Sequence, residues 1–145
     1  MGKGKVIVAP NAFKGSLSAP EAAAAITRGL TEVFPHRELI AIPLADGGDG
    51  TTECIIRATA GRLFRREVTG PLGGRVDGFW GLTGDGSTAV VEVAAASGLA
   101  LLTRDQLNPC DATSYGTGEL INAAIESGCR AIFVGLGGSA TSDAG

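Results

Sequence analysis

The sequence predicts an α/β fold: a mostly parallel sheet with flanking helices, joined to an antiparallel β-meander. Two observations carry that expectation. Apolar, β-branched runs open into glycine-rich loops and then into helical patterns, which is the order of a parallel sheet with crossover helices. Residues 62–93 then switch to short strand-like stretches separated by tight turn signals.

Residues 5–9 (KVIVA) are a continuous apolar run closed by Pro10 and read as a buried strand. Beyond the NAFKGS loop, Ser18, Pro20 and Glu21 form a capping box with proline in the first turn, which predicts a helix from Ser18 to about Glu32. Residues 38–44 (ELIAIPL) read as a second strand, and residues 51–60, stopped by Gly61, as a second helix. Three strands follow over 62–69, 75–82 and 87–93, with GPLGG and TGDG between them. Residues 94–115 read as a loop. Thr117 is then the expected cap of a helix ending at Ser127 before Gly128, and residues 131–134 form another buried strand that runs into GLGGSATSDAG. The change of period places a boundary near residues 70–74. Residues 1–70 are then the first part of a Rossmann-like α/β domain, and residues 71–145 the meander, helix and strand that begin a second. A glycine-rich loop after a buried strand normally hands over to a covering element, so the chain is expected to be the truncated N-terminal portion of a longer protein. The unpaired sheet edge that truncation leaves would drive aggregation or a homodimer.

Composition narrows the function classes. The net charge of −3 offers no broad electropositive surface, so nucleic acid is not an expected partner. No stretch reaches the ~18 apolar residues of a membrane span, and the N-terminus lacks a signal-peptide core. The three cysteines are widely spaced and form no C-x-x-C, which suits a reducing, cytoplasmic location. The 23 glycines, about twice the usual share, must therefore serve turns and loops.

Three of those loops follow apolar runs: residues 11–16, 46–51 and 135–143. Ligands of open parallel sheets bind at the carboxyl ends of the strands, so a site would be built from these loops. Lys14 can place a point charge on phosphate, and glycine-rich amides can cradle an anion. Ser16, Ser139 and Thr141 can donate hydroxyls. Asp46, Asp49 and Asp143 are hard oxygen ligands suited to Mg2+, or one of them could take a proton from an alcohol. Together these are the parts of a phosphoryl-transfer site. Each also has a purely structural reading, with Lys14 a solvated lysine, Ser16 a cap, and Asp46 and Asp49 turn residues satisfying local amides. A Walker A run is absent from the sequence, and DGGDG lacks EF-hand spacing. The single histidine, His36, sits in a turn without a G-x-S-x-G elbow. Cys54 lies inside the second helix and reads as a small core residue.

The loops, in order, resemble those of the bacterial-type glycerate kinases, a family without a P-loop. The resemblance rests on APNAFKGSLSA (9–19), PLADGGDGT (43–51), VEVAAASGLALL (91–102), YGTGELI (115–121) and GGSATSDAG (137–145). It implies a protein of two α/β domains that phosphorylates glycerate with ATP and Mg2+. Carried onto this chain, it implies that Lys14 binds the substrate carboxylate or the transferring phosphate and that Asp46 orients or deprotonates the glycerate hydroxyl. Asp49 or Asp143 would hold magnesium. Ser16, Gly47, Gly48, Gly137, Gly138, Ser139 and Thr141 would bind substrate or phosphate. The chain departs from the family at Asn11 and Ala12, where Asp and Ser are usual, and at Ser142 and Ala144, where Asn and Gly are usual. The first departure removes a carboxylate and leaves open a non-catalytic module that binds an acidic metabolite or phosphate.

Overall fold

The computed structural model describes residues 4–144, which fall into two compact units that divide between Ala45 and Asp46. In the first, β1 (Lys5–Val8) pairs in parallel with β2 (Glu38–Ala41), with Lys5 opposite Glu38 and Val8 opposite Ala41. Between them runs α1 (Ala19–Val33), whose start is the expected capping box. The Ser18 hydroxyl accepts from the Glu21 amide at 3.4 Å, and the Glu21 carboxylate accepts from the Ser18 amide at 2.8 Å. The Ser18 hydroxyl also donates to the Glu21 carboxylate at 2.7 Å, and that bond, with the one from the Ser18 amide, holds the Glu21 carboxyl below its ordinary range. Ala19, Ala22 and Ala23 are the buried face of α1, small enough to bring the helix close to the strands. The expectation of a fully buried first strand fails. Only Val8 is buried and Ile7 is 63% exposed, because a two-stranded sheet with one helix leaves alternate side chains uncovered.

The second unit holds a four-stranded sheet in the order β3 (Arg62–Thr69), β4 (Arg75–Leu82), β5 (Thr88–Glu92), β6 (Ala131–Gly135). The first three strands are the antiparallel meander, and β6 adds in parallel to β5. The TGDG turn is closed by Asp85, which accepts from the Thr83 hydroxyl and from the Ser87 amide and hydroxyl. These bonds lower its carboxyl to about 2. Phe64 and Trp80, directly opposite on β3 and β4, stack with centroids 4.5 Å apart.

Two helices cover the two faces of this sheet. α4 (Tyr115–Glu126) sends Leu120, Ala123 and Ala124 into a core with Val68, Trp80, Ala89 and Val91. α2 (Thr51–Ala58) lies against the other face, where Gly81 has no side chain because a methyl group there would collide with Ile56. α2 therefore belongs to the second unit, so the units divide ahead of the 70–74 boundary read from the sequence. β6 is an edge strand with Phe133 63% exposed, unlike the buried strand expected from its apolar run. The segment read as a loop over 94–115 contains α3 (Ala94–Ser97), entirely buried, and two 3-10 turns at Leu99–Leu101 and Arg104–Gln106. α4 starts at Tyr115 rather than after Thr117, whose buried hydroxyl instead donates to Ser97 Oγ at 3.0 Å.

Candidate functional site

In the first unit, the 11–17 loop is closed by short-range bonds. Phe13 and Leu17 form a bridge, and the Ser16 and Leu17 amides donate to the Phe13 carbonyl at 2.9 and 3.1 Å. Gly15 takes φ +74° in the turn, and Lys14 and Ser16 are exposed on it. The Ser16 hydroxyl donates to the Phe13 carbonyl at 3.3 Å, so it serves this turn rather than the capping of α1. Asn11 is likewise engaged locally, its side-chain oxygen accepting from the Ala12 amide at 2.8 Å.

In the second unit the structure brings two of the predicted loops together. Asp46 makes an Asx turn, its carboxylate accepting from the Gly48 amide at 3.0 Å. The Gly47 amide donates to the Thr51 hydroxyl at 3.0 Å, and the Gly47 carbonyl accepts from the Gly137 amide at 2.8 Å. The backbones approach so closely that a Cβ on Gly137 would lie 2.7 Å from Gly48 Cα, and one on Gly135 would lie 2.6 Å from the Gly47 carbonyl oxygen. Gly138, at φ +75°, faces Asp49, whose carboxylate oxygens lie 3.3 and 3.5 Å from where a Cβ would stand. These glycines are therefore present for backbone approach as well as for turn geometry.

The 137–141 segment is anchored from behind. The Gly138 carbonyl accepts from the Leu99 amide at 2.8 Å, and the Ala140 amide donates to the Ser97 carbonyl at 2.9 Å. Ser139 and Thr141 face one another, hydroxyl to hydroxyl, at 3.0 Å. Asp143 is engaged at the start of α4, where its carboxylate accepts from the Ser114 amide at 2.6 Å and the Ser114 hydroxyl at 3.0 Å. A cavity of about 720 Å³ opens beside this helix start, lined by Val93, Ser114, Tyr115, Thr117, Val134 and Leu136 among others.

Sequence reasoning assigned no role to Glu92. It is 1% exposed at the end of β5, and its carboxylate accepts from the Gly50 amide at 3.1 Å and from the Thr52 amide. Gly50, the N-cap of α2 at φ +88°, has no side chain to cap the helix, so Glu92 supplies the cap from 40 residues away. Burial raises its carboxyl above the ordinary range against the pull of these hydrogen bonds, with Asp49 adding to the rise. The available signal was an acidic residue inside an otherwise apolar run, AVVEVAAA. Cys54 is half-buried with its thiol pushed up, first by desolvation and then by Glu53 and Glu92, which is the opposite of an activated nucleophile.

Mg2+ is commonly held by one or two carboxylates plus phosphate oxygens, and Asp49 beside the Gly138 backbone fits that pattern. Among the described residues no group of three or more His, Cys, Asp or Glu side chains forms an all-protein metal cage.

The sequence profile of the glycerate kinase family matches residues 6–145. The chain belongs to that family. Similar proteins include the glycerate kinase of Bacillus subtilis strain 168, 53% identical over 141 residues, and the glycerate 2-kinase of Escherichia coli K12, 51% identical; each match covers 97% of this chain and 37% of the relative. A solved chain from Salmonella typhimurium LT2, assigned as a glycerate kinase 2, superposes with a TM-score of 0.76 at 51% identity, covering 96% of this chain and 38% of that one. The chain thus spans little more than a third of the length of the relatives it matches. No helix among the described residues is long and apolar enough to cross a membrane.

Proposed function

We propose that this chain carries the glycerate- and phosphate-handling loops of an ATP-dependent glycerate kinase. The observation that carries the reading is the interlock of the 46–50 and 135–141 loops, made by the Gly47–Gly137 hydrogen bond with Asp49 set against Gly138, in a chain half identical to glycerate kinases. Phosphoryl transfer asks for positioned amides, carboxylates and cations rather than covalent chemistry; these two loops offer the amides and carboxylates, and Lys14 of the 11–17 loop is the candidate cation.

In this reading Asp46 accepts the proton of the glycerate hydroxyl as its oxygen bonds to the terminal phosphorus of ATP and the bond to the ADP oxygen breaks. Lys14 binds the substrate carboxylate or the transferring phosphate, with Ser16 beside it in the turn. Gly47, Gly48, Gly137 and Gly138 contribute amides, and Ser139 and Thr141 hydroxyls, to the anionic ligands. Asp49 is the first candidate to hold Mg2+, which when bound neutralises phosphate charge. Asp143 is the second, to be tested separately because it already serves Ser114. A cytoplasmic location, which the wide spacing of the three cysteines without a C-x-x-C suits, and a homodimer formed through the exposed edge strand β6 belong to the same proposal.

A second reading, a non-catalytic module binding an acidic metabolite or phosphate, is favoured by Asn11 and Ala12, where Asn11 is occupied in holding its own turn. Isothermal titration separates the two. A kinase binds both D-glycerate and Mg-ATP, with both affinities reduced by Gly137→Ala; binding of one ligand alone selects the module, and binding of neither refutes both.

A further inference from the structure

Glu92 sits where the two interlocked loops originate. Its side chain holds Gly50 and Thr52 on either side of Thr51. Its backbone is in register with Gly135, the last residue of β6 and the start of the other loop, and the next amide, Val93, donates to the Gly135 carbonyl at 2.9 Å. β5 is an interior strand, fixed by β4 on one side and β6 on the other, so this carboxylate is attached to a rigid part of the unit. An apolar side chain would suit that place better if packing were the only requirement, because a buried carboxylate is costly unless its hydrogen bonds are made. What the carboxylate adds is hold on a loop whose own N-cap, Gly50, offers no side chain.

We propose that Glu92 is a positioning residue that fixes the 46–50 loop, and with it Asp46 and Asp49, in the arrangement phosphoryl transfer requires. The proposal rests on the kinase reading above. Glu92 touches neither substrate nor nucleotide in this account; it acts through the Gly50 and Thr52 amides.

The test compares Glu92→Gln, Glu92→Ala and Val68→Ala in the protein made from the complete reading frame that contains this chain. Val68, fully buried on the meander, lies outside the loops and serves as a destabilised control. Loss of a supporting contact or a small misplacement of reacting groups costs about 10- to 100-fold. The expectation is therefore a fall in kcat of about tenfold for Glu92→Gln, which keeps one acceptor oxygen, and about a hundredfold for Glu92→Ala, with the KM for glycerate little changed. Hydrogen exchange at the Gly50 and Thr52 amides should quicken in the same order. Val68→Ala should lower the melting temperature while retaining kcat and slow exchange at those amides. Wild-type kcat in folded Glu92→Gln overturns the proposal, and so does unchanged exchange; should Glu92→Ala fail to fold, Glu92→Gln decides. Absence of glycerate-dependent turnover in the unmutated protein overturns the kinase reading and the catalytic half of this proposal with it. The exchange result then decides separately whether Glu92 holds the loop.

Discussion

The loop at 11–17 and the loop at 46–50 look alike in sequence, each following a short apolar strand and each offering glycine beside a charged side chain, yet they are held in different ways. The first is closed by bonds between residues a few positions apart, such as Phe13 with Leu17 and Asn11 with Ala12. The second has a local Asx turn at Asp46 but takes its remaining form from distant partners: the Gly137 amide on the Gly47 carbonyl, and Glu92 on Gly50 and Thr52. A loop of the first kind keeps its conformation through its own sequence. A loop of the second kind is only as well placed as the strands β5 and β6 that carry its partners.

Glycine substitutions sharpen that contrast most. In Gly137→Ala the new methyl group would stand 2.7 Å from Gly48 Cα and 2.8 Å from its amide nitrogen, both backbone atoms that cannot step aside alone. Separation of the two loops is expected, with glycerate phosphorylation reduced about a hundredfold or more, measured as ADP release. The matching change in the first loop, Gly15→Ala, meets no atom within 4 Å and bears only the strain of φ +74°. It should cost about 1–2 kcal/mol in denaturant unfolding and leave the loop's fold intact. Equal activity losses from the two substitutions would break the comparison.

Smaller effects test the local end of the scale. Ser18→Ala removes the side-chain cap of α1 and should destabilise the first unit by about 1 kcal/mol, read from the unfolding midpoint. Asp85, whose carboxyl is lowered to about 2 by Thr83 and Ser87, should stabilise the β4–β5 hairpin at neutral pH. Because its folded value lies below the ordinary 3.8, the contribution is present above about 3.8 and is lost as pH falls towards 2. A two-dimensional NMR titration should follow that loss at Ser87 and Thr88, and Asp85→Asn should abolish it.

Legibility in the sequence divides along the same line. The capping box of α1 and the bounds of β3 and β4 were readable because three- to eight-residue patterns determine them. The start of α4 was misread because Thr117 has the chemistry of a cap, and only the tertiary placement of Ser97 turns its hydroxyl inward. α3 is four small residues, too short to display a helical period, and is helical inside the core that encloses it. The buried character assigned to β1 and β6 failed because an apolar run reports hydrophobicity and not how many faces the rest of the fold covers. At the site, the glycine loops and their aspartates were visible as motifs. Their mutual approach, the partner of Asp143 and the role of Glu92 were not, since each depends on residues tens of positions apart.

Phosphoryl transfer to glycerate by these loops is the reading proposed above. Its most direct test is a coupled assay of ADP release from Mg-ATP with D-glycerate, run on the protein from the complete reading frame and on its Asp46→Asn and Lys14→Ala variants. Glycerate-dependent turnover is expected in the unmutated protein, reduced about 10²- to 10³-fold in each variant. Turnover in the variants equal to that of the unmutated protein, or a folded unmutated protein that releases no ADP in response to glycerate, would contradict it.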